Sequence, residues 1–517
     1  MSKDKSKLKA VLREAPLSTA IELVAPGERY SRAHAVRTLF DDGSIRFSSI
    51  ASSMSGADVY ESFARSIDAG FVEYPRAHTF VLCFDDKRHV PSRKSSTQAG
   101  RREALAASIA RKGVREWAWD GVSPIVERTS HEQLPPWDRV RLDSHAYRHA
   151  LGDVVAALLA HYVPPPGRRL IVDSSGGARV LESSIDGVVL EPYVDRVPKP
   201  RIGEADIAAQ HYARRALLGD DVCRLVIVDE HEHEDEAEEA MSRSLVALHE
   251  EHEHYYADLM SDVPLEQRVH PARARQQFVP CECRRRVYEP GDVVLRSTDT
   301  DFVPLGLVIE TTTTKPTPSD VRVHVSLGTA HVNASGTYCT SSAPDARAHV
   351  ELYDMSRLAA VVRRLHSDAT PPSCMQSIWS FVAFCAACGN DYTRRLHGFS
   401  HQTMFAAYKH LVADDRLVGD DDVARRPPLL DASAFCRFVR IAYFTRLAER
   451  NRPVSWTDDV PTYAELRAAV AASTSVERNH MPDLATLTRY FEQVCWSLFY
   501  ASVAVDGIEH VPEPMQI

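Results

Sequence analysis

Short apolar runs that stop on acids constrain this chain more than any other feature. "HTFVLCFDD" (residues 78–86) and "GDVVLRSTDTD" (residues 291–301) read as buried strands, and "LFDDGSIRF" (residues 39–47) closes another. A segment with helical spacing, "YESFARSIDAGFVEY" (residues 60–74), stands before the first of these. Strands that alternate with helices favour an α/β fold with a mostly parallel central sheet flanked by helices. The acids then fall at strand C-termini, the edge where such sheets build their sites. Asp299 and Asp301 pose the sharpest question. At i and i+2 of a strand their side chains share one face, where like charges repel unless a cation lies between them.

Composition narrows the class without naming it. The 517 residues are 44% hydrophobic and 26% charged, with a formal net charge of −10, as in ordinary soluble proteins of two to four structural units. The opening "MSKDKSKLKAVLREAP" has no apolar run of signal-peptide length, and no segment has the roughly 18 to 20 apolar residues of a spanning helix. An intracellular, soluble protein with no membrane partner is expected. Ten cysteines are scattered, and Cys83, Cys385 and Cys495 lie in apolar runs, so reduced thiols are expected. Charge is uneven: residues 228–240 and 249–258 are acidic, whereas 88–102 and 271–286 are basic.

The chain divides into residues 1–218, the first part of a core; 219–290, an acidic, His-rich insertion; 291–412, the rest of the core; and 413–517, a helical C-terminal region. Within the core, "DSHAYRHALGDVVAALLAHYV" reads as a helix stopped by Pro164–Pro166 and "RRLIVDSS" as a strand. "EADIAAQHYARRALLG" reads as a helix and "CRLVIVDE" as a strand. No internal repeat is present.

Acids recur in order: Asp41 and Asp42, Asp85 and Asp86, Glu204 and Asp206 at a helix start, Asp299 and Asp301, then Asp391. A single Asp after a strand is ordinarily a cap or turn residue. Five acidic signatures in series point instead to an all-oxygen site for two ions of Mg²⁺ or Mn²⁺. Lys94 and Arg101, seven apart, share one face of a helix and suit the gripping of a phosphate.

The series "DDGS", "FDD" with a basic helix after it, "GEAD", "STDTD" and "GNDY…HGFS" resembles the 5′-nuclease superfamily, which holds flap endonucleases and Xrn-type 5′→3′ exonucleases. The resemblance covers about residues 8–411 and implies a PIN-like core. It makes Asp42 the first metal ligand, with Asp41 the alternative if the alignment slips by one. Asp85, Glu204, Asp206, Asp299, Asp301 and Asp391 complete the implied set, with Asp206 standing where the family usually has Glu. Lys94 and Arg101 become the implied catalytic cations, and Arg102 completes the paired arginines on nucleic acid. Gly398 and Ser400 match a Gly-x-Gly turn that grips duplex backbone, with Ser in place of the second Gly. The family's Met-Gly start is absent, and the gap between Asp206 and Asp299 is far longer than in flap endonucleases.

The implied activity is divalent-metal-dependent hydrolysis of phosphodiester bonds at or near 5′ ends, in repair, replication or recombination. The alternatives are an Xrn-like exoribonuclease of RNA decay and a catalytically inactive nucleic-acid-binding scaffold. "GNDY" and the late segment with Trp496 and Tyr500 resemble the Xrn side, the latter also reading as a plain core helix. His231, His233, His249, His252 and His254 sit among acids without compact ligand spacing. Cys281 with Cys283, and Cys385 with Cys388, lack partner pairs, and no Walker-type loop is present.

Overall fold

The apolar runs become the interior strands of one ten-stranded sheet in the computed structural model. Described residues are 5–47, 56–85, 152–153, 155–174, 177–190, 192–195, 205–218, 224–225, 290–313, 320–366, 374–389, 393, 399–419, 428–451, 461–475 and 480–506. The strands are β1 (Ile21–Val24), β2 (Val36–Asp42), β3 (Thr79–Cys83), β4 (Arg169–Ser174), β5 (Gly177–Glu182), β6 (Tyr193–Asp195), β7 (Arg224–Leu225), β8 (Asp292–Arg296), β9 (Val323–Val332) and β10 (Arg347–Asp354). Their order is β1-β10-β9-β8-β2-β3-β4-β5-β6-β7. The helices are α1 (Lys5–Leu12), α2 (Gly43–Arg46), α3 (Gly56–Glu73), α4 (Ala205–Leu218), α5 (Phe302–Thr312), α6 (Met355–Arg364), α7 (Cys374–Ala387), α8 (His401–Leu411), α9 (Ala432–Asn451), α10 (Tyr463–Ser473) and α11 (Leu484–Asp506).

The fold is α/β, but the sheet is mixed where a mostly parallel one is expected. Only β9, β8, β2, β3 and β4 run parallel; β10 and β1 on one side, and β5 to β7 on the other, are antiparallel. Connection length accounts for one of these pairs, β4 with β5. Ser174 pairs directly with Gly177 across the β4–β5 turn, and so short a link cannot make the crossover that parallel strands need. The parallel centre is what the unbroken apolar runs encode. Every residue of β3 is buried, because helices cover both faces of the sheet.

Two cores lie on opposite faces. One face holds Leu39, Phe80, Leu82 and Val172 against Val59, Phe63, Ile67 and Phe71 of α3. The other holds Phe40, Val81, Cys83, Ile171 and Leu295 against α4, α5, α6 and α7. The chain therefore leaves β2 to return in β3 by way of α3 on one face, and leaves β8 to return in β9 by way of α5 on the other. Strand order reverses between the adjacent strands β2 and β8, which makes their C-terminal ends a topological switch point.

Helix α5, "FVPLGLVIETT", is apolar almost throughout and buried from Phe302 to Glu310. Gly306 permits its close approach to the sheet: a Cβ there would lie 3.0 Å from Val325 Cγ2 and 3.2 Å from Met355 Sδ. Among the described residues beyond 412, α9, α10 and α11 are helices, and α11 packs against α4, α5 and α7 within the same core. No described helix is long and apolar enough to cross a membrane. Cys83, Cys339, Cys385, Cys388, Cys436 and Cys495 are free thiols.

Candidate functional site

Residue parity decides which acids can meet. In β2, Asp41 shares a face with Leu39, and Asp42 shares the other with Phe40. Asp41 is 2% exposed and takes both Arg46 and Arg296 as ion-pair partners, the Arg46 Nε bond being 3.0 Å. Burial opposes its ionisation, but the two guanidiniums outweigh burial and hold the carboxyl below the usual carboxylate range. Asp42 is half-buried on the α4 face, and its Oδ1 accepts the Ser44 N–H at 3.1 Å.

The ends of β2 and β3 are tied together. Ser44 Oγ accepts the Asp85 N–H at 3.4 Å, so the turn after Asp42 touches the backbone of the next acid. Gly43 is required in that turn, since a Cβ there would come within 2.5 Å of the Phe84 ring. β3 ends at Cys83, and Asp85 lies two residues beyond. Its Oδ1 accepts the N–H of Ala205, the first residue of α4, at 3.1 Å. Asp206 follows in the first turn of α4, half-buried, with Oδ1 on the Ile207 N–H at 3.0 Å. Asp42, Asp85 and Asp206 thus belong to one linked edge.

Asp299 and Asp301 are not strand residues, which corrects the expectation of two carboxylates on one strand face. The ladder ends when the Ser297 N–H bonds Ser326 O at 2.9 Å, and Ser297 Oγ then accepts the Asp299 N–H at 3.0 Å. Asp299 Oδ1 accepts the Asp301 N–H at 3.2 Å, turning the chain into α5, with Asp301 as the helix N-cap residue. Side chains that compete for nearby backbone N–H groups favour such turns over strand. Both acids still stand past the C-terminal end of β8, beside β2. Burial first, then the Cys388 thiol and the Asp301 carboxylate, push the Cys385 thiol well up.

Ser400 is the N-cap of α8, accepting the Thr403 N–H at 3.0 Å. Lys94, Arg101, Arg102, Glu204, Asp391 and Gly398 lie outside the described residues, as do the His-rich and basic stretches. One acid of this edge is absent from the series that the sequence suggests. Asp173, on β4, is 2% exposed on the same face as Asp42, and the pairings Asp42↔Cys83 and Cys83↔Asp173 set it in one row with Asp42 across the sheet. Its signal is "LIVD", the same apolar run stopping on an acid.

Among the described residues, no group of three or more His, Cys, Asp or Glu is arranged to hold an ion. The donors along this edge are carboxylate oxygens, a hard set that fits Mg²⁺ or Mn²⁺ by type. Fold and edge define an α/β protein with acids beyond the ends of its parallel strands at a switch point. No protein-family model matches the chain, and no curated protein matches it.

Proposed function

We propose that the chain is a divalent-metal-dependent 5′ nuclease with a PIN-like core, hydrolysing phosphodiester bonds at or near the 5′ ends of nucleic acid. The observation that carries this reading is the linked edge of Asp42, Asp85 and Asp206, with Asp299 and Asp301 across the switch point. These five, with Glu204 and Asp391, would hold two ions of Mg²⁺ or Mn²⁺. Bound there, the ions would supply the positive charge that activates a water and stabilises the leaving oxygen. Lys94 and Arg101 grip the scissile phosphate, while Arg102, Gly398 and Ser400 hold the adjoining strand. Asp41 plays a different part. Bonded to Arg46 and Arg296, it fixes the end of β2 so that Asp42 stands at the edge.

A second reading, an Xrn-like exoribonuclease, rests on the sequence resemblance carried by α11. Its Trp496 and Tyr500 rings stack with centroids 5.3 Å apart, and the helix packs into the core beside α4. Purified protein with Mg²⁺ or Mn²⁺ is tested on end-labelled 5′-flap DNA, blunt duplex, single-stranded DNA and 5′-monophosphate RNA, with a chelator control. Chelator-sensitive cleavage from the 5′ end is expected, and the preferred substrate chooses the branch. Binding without cleavage of any substrate would leave the scaffold reading instead.

A further inference from the structure

We propose that the chain pairs with a second copy of itself through an exposed apolar corner at the end of the sheet opposite the acidic edge. This pairing does not depend on the nuclease reading.

Seven large apolar side chains are exposed among the described residues, and five of them, Val72, Val163, Ile185, Val188 and Val189, fall at this corner. Strand order brings them there. β3, β4 and β5 are neighbours, so the turn that enters β3 (residues 75–77), the segment that enters β4 (163–168) and the turn that leaves β5 (183–189) lie side by side. Hydrogen bonds join them. The Gly167 N–H bonds Ser184 O at 2.8 Å, and Ser183 Oγ donates to Pro164 O at 2.7 Å. Arg168 reaches the other way, donating to Ala77 O at 2.6 Å and Pro75 O at 2.8 Å. Tyr162 donates its hydroxyl to Asp68 Oδ1 at 2.6 Å, and Val72 follows Asp68 by one turn on the same face of α3.

Apolar residues exposed singly need no explanation, but a contiguous patch marks an interaction surface. Ile185 is 76% exposed although its turn is held by its own bonds: Ser184 O accepts the Gly187 N–H at 3.0 Å, and Ser184 Oγ accepts the Val188 N–H at 3.0 Å. A turn already ordered costs binding little.

Charge identifies the occupant. Asp186 is exposed at the tip of the turn after β5 and Arg76 is exposed on the turn before β3, on either side of the 163–168 segment. Neither side chain has an ion-pair or hydrogen-bond partner among the described residues. The corner thus carries an apolar centre between one free acid and one free base. A two-fold interface sets residue i of one copy against j of the other, and j against i. Rotation about an axis through the apolar centre sets Asp186 of each copy against Arg76 of the other, so one chain supplies both halves of the complement. The acidic edge, at the other ends of the strands, stays open.

The test is sedimentation velocity of the full chain over a concentration series, with circular dichroism and thermal unfolding on the same samples. Wild type is expected to sediment as a dimer. Ile185→Arg is expected to weaken the dimer about tenfold or more at an unchanged thermal midpoint, since the side chain is exposed in the single chain. Asp186→Arg sets like charges together twice, as does Arg76→Asp, so each is expected to weaken it about tenfold or more. The double variant Asp186→Arg/Arg76→Asp restores both pairs and is expected to recover most of the wild-type affinity. Charge reversal carries the test should Ile185→Arg fail to fold. A wild type that stays monomeric throughout the series overturns the proposal, and co-sedimentation with phosphatidylcholine vesicles would then give the corner to a lipid surface instead. A dimer indifferent to all three single variants places the interface elsewhere, and a double variant weaker than either single removes the Asp186–Arg76 pairing; either result overturns the proposal as well.

Discussion

Asp41 and Asp42 are neighbours in sequence and face opposite sides of the sheet. Asp41 is buried between two arginines; Asp42 is half-buried at the edge. Removing one member of a buried ion pair strands the other charges in a poorly solvated place, at a cost of about 3–5 kcal/mol. Asp41→Ala is therefore expected to lose about that much stability in urea unfolding, and Asp42→Ala only about 1 kcal/mol or less. Equal losses would mean that the two carboxylates do not divide the work in this way. This division is not legible in "FDDG", because it depends on Arg296, a residue 255 positions away that pairs with Asp41 across β2 and β8. Asp173 is legible as another acid that ends an apolar run, but only strand register shows that it shares a row with Asp42.

At the scale of elements, unbroken apolar runs announce β3, β4 and β8, and helical spacing announces α3 and α4. The antiparallel flanks are hidden because strand partners are chosen by turn length and long-range packing, not by the composition of the strand itself. The Asp-x-Asp pair misleads for a local reason: Ser297 and Asp299 offer side-chain oxygens to backbone N–H groups and stop the ladder. Helix α5, which follows, depends on a close approach at Gly306. Gly306→Val places a branched side chain where the first added carbon already meets Val325 and Met355. Overpacking of this kind costs about 1–3 kcal/mol, so a lower midpoint in thermal unfolding is expected. An unchanged midpoint would show that α5 can move off the sheet freely.

Across the whole molecule, buried charges set the response to acid. Burial raises Asp41, Asp292 and Glu351, but their partners outweigh it and hold all three below the ordinary carboxylate range. Those partners are Arg296 and Arg46 for Asp41, His324 and Arg32 for Asp292, and Arg13 and Lys9 for Glu351. A carboxyl lowered in the folded state contributes stability that is present above its unfolded value, about pH 4, and is lost as pH falls through the folded value. His366 acts earlier. Burial, with the charge of Arg416, pushes it down to about 4, so the unfolded chain binds the extra proton between about pH 6.5 and 4. Stability is thus expected to decline gently below about pH 6.5 and steeply below about pH 4 in denaturant titrations across that range. A flat profile down to about pH 3 would contradict this account of the buried charges.

The central proposal is that acids from separate elements act as one metal-dependent site at the switch point between β2 and β8. The most direct measurement is cleavage of the preferred end-labelled substrate in saturating Mg²⁺ or Mn²⁺ by Asp299→Ala/Asp301→Ala, beside wild type of matching circular dichroism and thermal midpoint. Loss of cleavage in a folded variant is the expected result. Wild-type turnover by the same variant, with metal in excess, would contradict the claim.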